Sequence, residues 1–247
     1  MIRLMSFNTQ HCRNFITKEI DYDAFADEIR RYDPDIVGLN EIRDEGARED
    51  YHPQTRILSE KLGYAYCYFA KATDFGGNPY GNAILSKYPI CSAQTIPIPD
   101  PQERACPNGY YETRCVLKAK IDVEDGLTVC VSHFGLNPDE QENAVRTVLQ
   151  SLEEEKCILM GDFNVTPKDP ILQPVRDKMT DTAEVLKKAL FSFPSDKPEI
   201  KIDYIFTSHD IKTLWADIPG DVVSDHRPYI AEIICRAKDG IRGELAR

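Results

Sequence analysis

The apolar run Ile158-Leu-Met160 leads straight into Gly161 and then Asp162-Phe-Asn164, with Pro167 just beyond. An apolar run stopped by Gly and Pro reads as a buried strand ending at a sheet edge. Side chains alternate along an extended chain, so Asp162 and Asn164 share one side and Phe163 takes the other. A carboxylate and a carboxamide side by side at a strand end can hold a hard cation or a water against a substrate. Asp and Asn also form turns, so this stretch alone leaves both readings open.

The rest of the chain narrows the choice. Its 247 residues show no dividing linker and no repeat, and are expected to form one domain over 1–247. A hydrophobic content of 42% is enough for a real core, and mixed charge with recurrent apolar runs argues against disorder. A formal net charge of −11 argues against a protein that grips duplex DNA through its phosphates. No apolar run approaches membrane-spanning length, and the start, Met1-Ile-Arg-Leu-Met-Ser-Phe-Asn8, reads as a strand rather than a signal peptide. Eight scattered cysteines without C-x-x-C spacing suit free thiols in a reducing cytoplasm, the expected location, and not a zinc site.

Taken in order, Ile2–Asn8 reads as a strand. Asp21–Arg31 reads as an amphipathic helix, with Tyr22, Phe25 and Ile29 on one face. Ile36-Val-Gly-Leu39 is a buried strand running into Asn40 and Glu41. Pro53 opens a second helix, which Gly63 ends, and Tyr64–Ala70 is a strand. Asp74–Gly81 is expected to be loop, Asn82–Ser86 strand, and Ile96–Asn108 a long surface loop. Tyr111–Ile121 and Leu127–Phe134 read as a hairpin, and Asn137 caps a helix with Pro138 and Glu140 in its first turn. Pro167–Leu190 is expected to be short helix and loop. Ile202–Thr207, Ile211–Ala216 and Tyr229–Ile234 are strands, and the charged tail after Ala237 is expected to fray. Strands neighbour helices early and other strands later, which suits two packed sheets flanked by helices.

Polar residues recur where apolar strands stop: Asn8, Glu41, His133, Asp162, Asn164 and the pair Asp225-His226, with Asp203 instead opening its strand. Each has an ordinary alternative as a turn former, a cap or a satisfied core histidine. Brought to one edge, their four carboxylates, two carboxamides and two imidazoles would make a hydrolytic site for a hard metal. Arg114 follows the long loop and could add a bidentate phosphate contact, or be a strand-surface charge.

The order of these pieces resembles the endonuclease/exonuclease/phosphatase superfamily, with its deoxyribonuclease I-like fold. The matching segments are Ser6-Phe-Asn8, Leu39-Asn-Glu41, Gly81-Asn-Ala-Ile-Leu-Ser86, Ser132-His133, Gly161-Asp-Phe-Asn164, Ile202-Asp-Tyr-Ile205 and Ser224-Asp-His226. The resemblance implies an α+β, four-layer α/β/β/α sandwich and Mg²⁺- or Mn²⁺-dependent cleavage of phosphate esters. It also implies roles. Glu41 is the main metal ligand with Asn8 beside it, and Asp225 lies at the same or a second metal. Asp162 positions or deprotonates the attacking water, and Asn164 holds phosphate oxygens. His226, oriented by Asp203, and His133 contact the phosphate. Asn40 departs from the Gln common in the family and is expected to be tolerated, pointing to the other face.

Physical chemistry supports these roles: a phosphodiester repels hydroxide, a divalent cation offsets charge in the transition state, and an Asp–His pair favours the imidazolium. The expected substrate is a small phosphorylated molecule or lipid head group, selected by loops 72–81, 94–113 and 190–200. The alternatives are a DNA-repair-type endonuclease, which the charge and the lack of a Lys/Arg block oppose, and a pseudoenzyme that binds a phosphorylated ligand.

Overall fold

Two βαβ units form the centre of the molecule. In one, β1 (Ile2–Asn8) and β2 (Ile36–Arg43) run parallel and are joined through α1 (Tyr22–Tyr32). In the other, β7 (Leu127–Ser132) and β8 (Cys157–Asp162) run parallel and are joined through α3 (Pro138–Ser151). A parallel pair cannot close through a tight turn, so each needs its crossover helix. The computed structural model describes residues 1–106, 109–185 and 190–235.

Antiparallel strands flank each unit. The first sheet adds β3 (Tyr66–Asp74), β4 (Pro79–Ser86), β11 (Ile211–Asp217) and β12 (Tyr229–Cys235), in the order β11-β12-β1-β2-β4-β3. The second adds β5 (Ile90–Pro97), β6 (Cys115–Ile121), β9 (Met179–Asp181) and β10 (Asp203–Ser208), in the order β5-β6-β7-β8-β10-β9. Helix α2 (Gln54–Leu62) joins α1 on the first sheet, and the single turn α4 (Gln173–Arg176) joins α3 on the second.

Three apolar layers hold the four structural layers together. Between the sheets, Leu4, Ile36 and Ile84 meet Leu117, Val131, Met160 and Ile205. Outside the first sheet, Phe25, Ile29 and Leu58 cover Phe7, Val37 and Leu39. Outside the second, Ala144, Val145 and Val148 cover Cys130, Leu159 and Phe163. The central strands are buried on both faces, which is why they read as near-continuous apolar runs. Gly38 leaves room for the facing sheet: an added Cβ would lie 2.9 Å from Met160 Sδ and Val131 Cγ2.

This is the four-layer α/β/β/α sandwich expected from the sequence, with several local differences. The expected loop Asp74–Gly81 is a hairpin whose turn spans only 75–78, and β4 begins at Pro79. The Asp74 carboxylate accepts the Gly77 and Asn78 N–H groups and closes that turn. Strand β5 was not anticipated: it is an edge strand with little buried apolar surface to mark it. Strand β6 starts at Cys115 rather than Tyr111, and β9 interrupts the segment expected to be helix and loop. All eight cysteines are free, with Cys12, Cys115, Cys130 and Cys157 buried. No described helix is long and apolar enough to cross a membrane. The tail after Ala237 lies outside the described residues.

Candidate active site

The parallel strands β1, β2, β7 and β8 bring their carboxyl ends to one edge of the sandwich, the usual place for a ligand site in a sheet with parallel strands. Asn8, Glu41, His133 and Asp162 lie there. An antiparallel neighbour begins where its partner ends, and this explains the remainder. Asp203 pairs in register with Asp162, and Tyr229 pairs with Ser6, so Asp225 and His226 fall just beyond the same edge. Val116 pairs with Ser132, which places Arg114 beside His133.

Local backbone geometry aims the side chains. Glu41 has φ 58° and sits in a bulge of β2 between Leu39 and Ile42. Thr9 closes on this bulge, its N–H donating to the Asn40 carbonyl at 3.1 Å. Asn164 has φ 51°, a left-handed conformation that Asn tolerates. Gly161 has φ 142°, and a Cβ there would lie 1.8 Å from the Ser132 carbonyl oxygen. Only glycine lets β8 pass β7 at this point.

Asp162 is the hub. Its Oδ1 accepts the Asn164 N–H at 2.9 Å, and its Oδ2 accepts Asn8 Nδ2 at 3.0 Å. The same Oδ2 lies 3.4 Å from His133 Nε2 and 3.5 Å from His226 Nε2. Burial raises the Asp162 pKa to about 7, against the opposing charge of His226. His226 donates from Nδ1 to Asp203 Oδ2 at 2.8 Å. Burial works against the charge of His226, but Asp203 and Asp162 outweigh it and raise its pKa to about 10. His133 goes the other way: burial and then Arg114 push its pKa well below the ordinary value. Two imidazoles on one carboxylate therefore differ in charge at neutral pH.

Glu41 lies on the opposite flank. Its Oε1 accepts Asn8 Nδ2 at 3.1 Å, and Tyr80 also hydrogen-bonds to it. Burial raises the Glu41 pKa, and Asp225 adds to the rise. Among the described residues no Lys or Arg pairs with Glu41. Two neighbouring carboxylates with no Lys or Arg partner among the described residues, offset only by the charge of His226, suit a divalent cation bound by oxygen donors. Asn8, expected as a metal ligand beside Glu41, lies between the two carboxylates Glu41 and Asp162. The Gln10 N–H, 3.1 Å away, takes its Oδ1, so its amide nitrogen faces Glu41 and Asp162. It holds the two carboxylates at a fixed separation. Asp162, Asp203 and His226 form a second group whose ligand-type atoms all lie within 4.8 Å of one another.

Arg114 reaches the site, but its guanidinium is engaged. Nη1 lies 2.6 Å from Glu112 Oε1 and 2.9 Å from His133 Nδ1. Four residues of the site escaped the sequence reading. Asn40 does not point away: its Oδ1 accepts the Asp162 N–H at 2.9 Å, and its Nδ2 donates to Asn82 Oδ1 at 2.8 Å and the Ser132 carbonyl at 3.2 Å. It stitches the two sheets together beneath the site. Gln10 Nε2 donates to Asp225 Oδ2 at 3.0 Å. Tyr80 and Glu112 complete the set. Tyr80 is the second residue of β4 and pairs with Arg43, the position that the antiparallel rule above would have indicated.

The chain belongs to the endonuclease/exonuclease/phosphatase family, whose model matches residues 5–226. Members of this family hydrolyse phosphoesters. No curated protein sequence matches the chain. Among solved structures, an endonuclease/exonuclease/phosphatase from Beutenbergia cavernae superposes with TM-score 0.77 at 21% identity, over 94% of this chain and 71% of that one. A mannosyl-6-phosphatase from Bacteroides thetaiotaomicron gives 0.74 at 16% identity, over 95% of this chain and 100% of that one. TDP2 of D. rerio complexed with a single-strand DNA product gives 0.66 at 17% identity, over 94% of this chain and 98% of that one. These likenesses establish the sandwich fold.

Proposed function

We propose that the protein is a divalent-metal-dependent hydrolase of small phosphate esters, working by in-line attack of water on phosphorus. The observation that carries this reading is the cationic His226, held by Asp203 at 2.8 Å and facing Asp162, with the Glu41 and Asp225 carboxylates on the other flank. Glu41 and Asp225 would hold Mg²⁺ or Mn²⁺, Asn8 and Gln10 fixing their positions. Bound there, the cation offsets charge on the phosphoryl oxygens. His226 is a poor metal ligand, because a ligating imidazole must be unprotonated and this one keeps its proton well above neutrality.

Asp162, with a pKa of about 7, takes a proton from the attacking water as the new P–O bond forms. Nε2–H of His226 donates to a phosphoryl oxygen and stabilises the charge that builds as the ester P–O bond breaks; the leaving oxygen departs as the oxyanion and takes a proton from solvent. His133 and Asn164, on the β8 side, contact the other phosphoryl oxygens. The single-strand DNA product held by the D. rerio relative motivates the second reading, a nuclease. Purified protein with Mg²⁺ or Mn²⁺ should hydrolyse aryl phosphomonoesters or phosphodiesters, sugar phosphates or inositol phosphates. Activity should vanish in excess chelator and return with metal. Turnover in excess chelator refutes the metal reading, and preferential cleavage of abasic or nicked DNA moves the protein to the nuclease reading.

A further inference from the structure

His133 is held between an arginine and a carboxylate, and this fixes more than its position. Arg114 Nη1 is 2.9 Å from His133 Nδ1. A guanidinium keeps its proton in any protein and offers donors only. His133 Nδ1 must therefore be the acceptor, and the proton of the neutral ring must sit on Nε2. A doubly protonated ring would set N–H against N–H. The guanidinium is itself immobilised: Glu112 Oε1 lies 2.6 Å from Nη1, and Glu112 Oε2 accepts the Tyr110 hydroxyl at 2.8 Å. The Arg114 and Glu112 side chains are only 10% and 9% exposed, so water cannot readily substitute for either.

The same logic settles an adjacent contact. Asn164 Nδ2 lies 3.2 Å from His133 Nε2 and 3.0 Å from the Phe134 carbonyl oxygen. The amide nitrogen carries two hydrogens and gives one to Phe134; its longer contact to Nε2 competes with Arg114 for the single lone pair of the neutral ring, and the shorter, charge-assisted Arg114 contact prevails. His133 Nε2–H is then directed at Asp162 Oδ2, 3.4 Å away, where His226 Nε2 also points from 3.5 Å. Asp203 makes the opposite demand on His226, whose Nδ1 must carry a proton.

We propose that Arg114 is a positioning residue that locks His133 as the neutral Nε2–H tautomer, with Glu112 holding Arg114 in place. The site then presents two N–H donors from two rings at one point but only one imidazolium. A second imidazolium there would pull the Asp162 proton affinity down and weaken it as a base, whereas the Nδ1–H tautomer would remove a phosphate donor. The assignment refines the hydrolase reading above and rests on it for its kinetic consequence, but the tautomer stands on geometry alone.

Long-range ¹H–¹⁵N NMR of the full chain labelled in its five histidines tests it, with His133→Asn assigning the resonance. In the wild type the His133 Nδ1 should carry the shift of an unprotonated nitrogen and Nε2 that of a protonated one, and this pattern should hold from about pH 5 to 8 while the Nε2 shift follows the titration of Asp162 by a smaller amount. In Arg114→Met the ring should titrate or mix tautomers within that window. In the same variant kcat on the best phosphoester should fall about 10-fold or more, with KM altered only a few-fold. Glu112→Gln should move both readouts the same way by less, and Arg114→Lys, which keeps a cationic donor, should restore part of each. A protonated Nδ1 in the wild type, or an Arg114→Met spectrum identical to wild type, overturns the proposal. If Arg114→Met does not fold, the wild-type spectrum and Glu112→Gln decide it. An inactive protein with the expected wild-type spectrum refutes the hydrolase reading and leaves the lock intact.

Discussion

Phe163 separates Asp162 from Asn164 in the chain and joins the core that supports both. Its ring stacks on Phe134 at 4.3 Å and on Tyr204 at 5.1 Å, and it is fully buried. Phe163→Ala should cost about 3–5 kcal/mol in denaturant melts, the usual range for emptying an aromatic core position. Asn40 should be costly for another reason. Asn40→Ala strands the Asp162 N–H, Asn82 Oδ1 and the Ser132 carbonyl inside the protein, so stability should fall by about 2 kcal/mol or more. Its kcat should fall with it, because the Asp162 backbone loses its anchor. His226 makes stability depend on pH. Its folded pKa is raised from 6.5 to about 10, so the native state binds the proton more tightly than the unfolded chain. That stabilisation is complete below about pH 6.5 and is lost as pH rises toward 10. With chelator present, the wild-type Tm should therefore fall between about pH 7 and 10, and His226→Gln should remove much of that slope. An equal slope in the variant would show that the proton resides elsewhere.

Among the elements, α3 has two tasks. Glu140 reaches back to the Asn137 N–H at 3.2 Å, closing the first turn of the helix, and its other oxygen accepts the Glu112 N–H at 3.2 Å. Asn137 Nδ2 donates to the Tyr110 carbonyl at 2.7 Å, and Asp139 accepts the Tyr111 hydroxyl at 2.9 Å. The helix start thus pins the segment that carries Glu112 and Arg114. Asn137→Ala should lower stability by about 1 kcal/mol, as a lost cap usually does, and should also speed proteolysis near Tyr110. The cap itself was legible in Asn137-Pro-Asp-Glu140, since capping is a local pattern. So were the four central strands and the two crossover helices, whose hydrophobic periods are strong. The residues at the ends of β1, β2 and β8 could be read because an apolar run ending in Asp, Asn or Glu is conspicuous. What a tertiary contact decides could not be read. Asn40 keeps the alternation of Ile36 and Gly38 into the space between the sheets, but the bulge after it re-aims Glu41, and the edge strand β5 carries too little buried surface to announce itself. Tyr80 was hidden in a stretch whose Gly, Asn and Pro suggested loop throughout, although only 75–78 turns.

Over the whole molecule, the charge of −11 is matched by how the cations are spent. Arg43 pairs with Asp50, Lys71 with Asp74, Lys87 with Asp33 and Arg114 with Glu112. A cation already paired with a carboxylate must give up that partner to neutralise a phosphate, so these four would contribute little to gripping a duplex. The kcat/KM on the best small phosphoester should exceed that on abasic or nicked duplex at near-physiological salt and should change little as salt rises. Efficient duplex cleavage that collapses with salt would contradict this. The path of the chain adds one last consequence. It builds most of the first sheet, then the second sheet, and returns at the end: β12 pairs with β1, Ile2 opposite Ile233 and Ser6 opposite Tyr229. A nascent chain on the ribosome therefore carries β1 with one edge open until β12 emerges. Asp225 and His226 arrive on that same closing segment. A chain cut before Asp225 would thus leave an adhesive apolar strand, Leu4-Met-Ser-Phe7, with an unpaired edge as well as lacking Asp225 and His226, and such products should be cleared or aggregate.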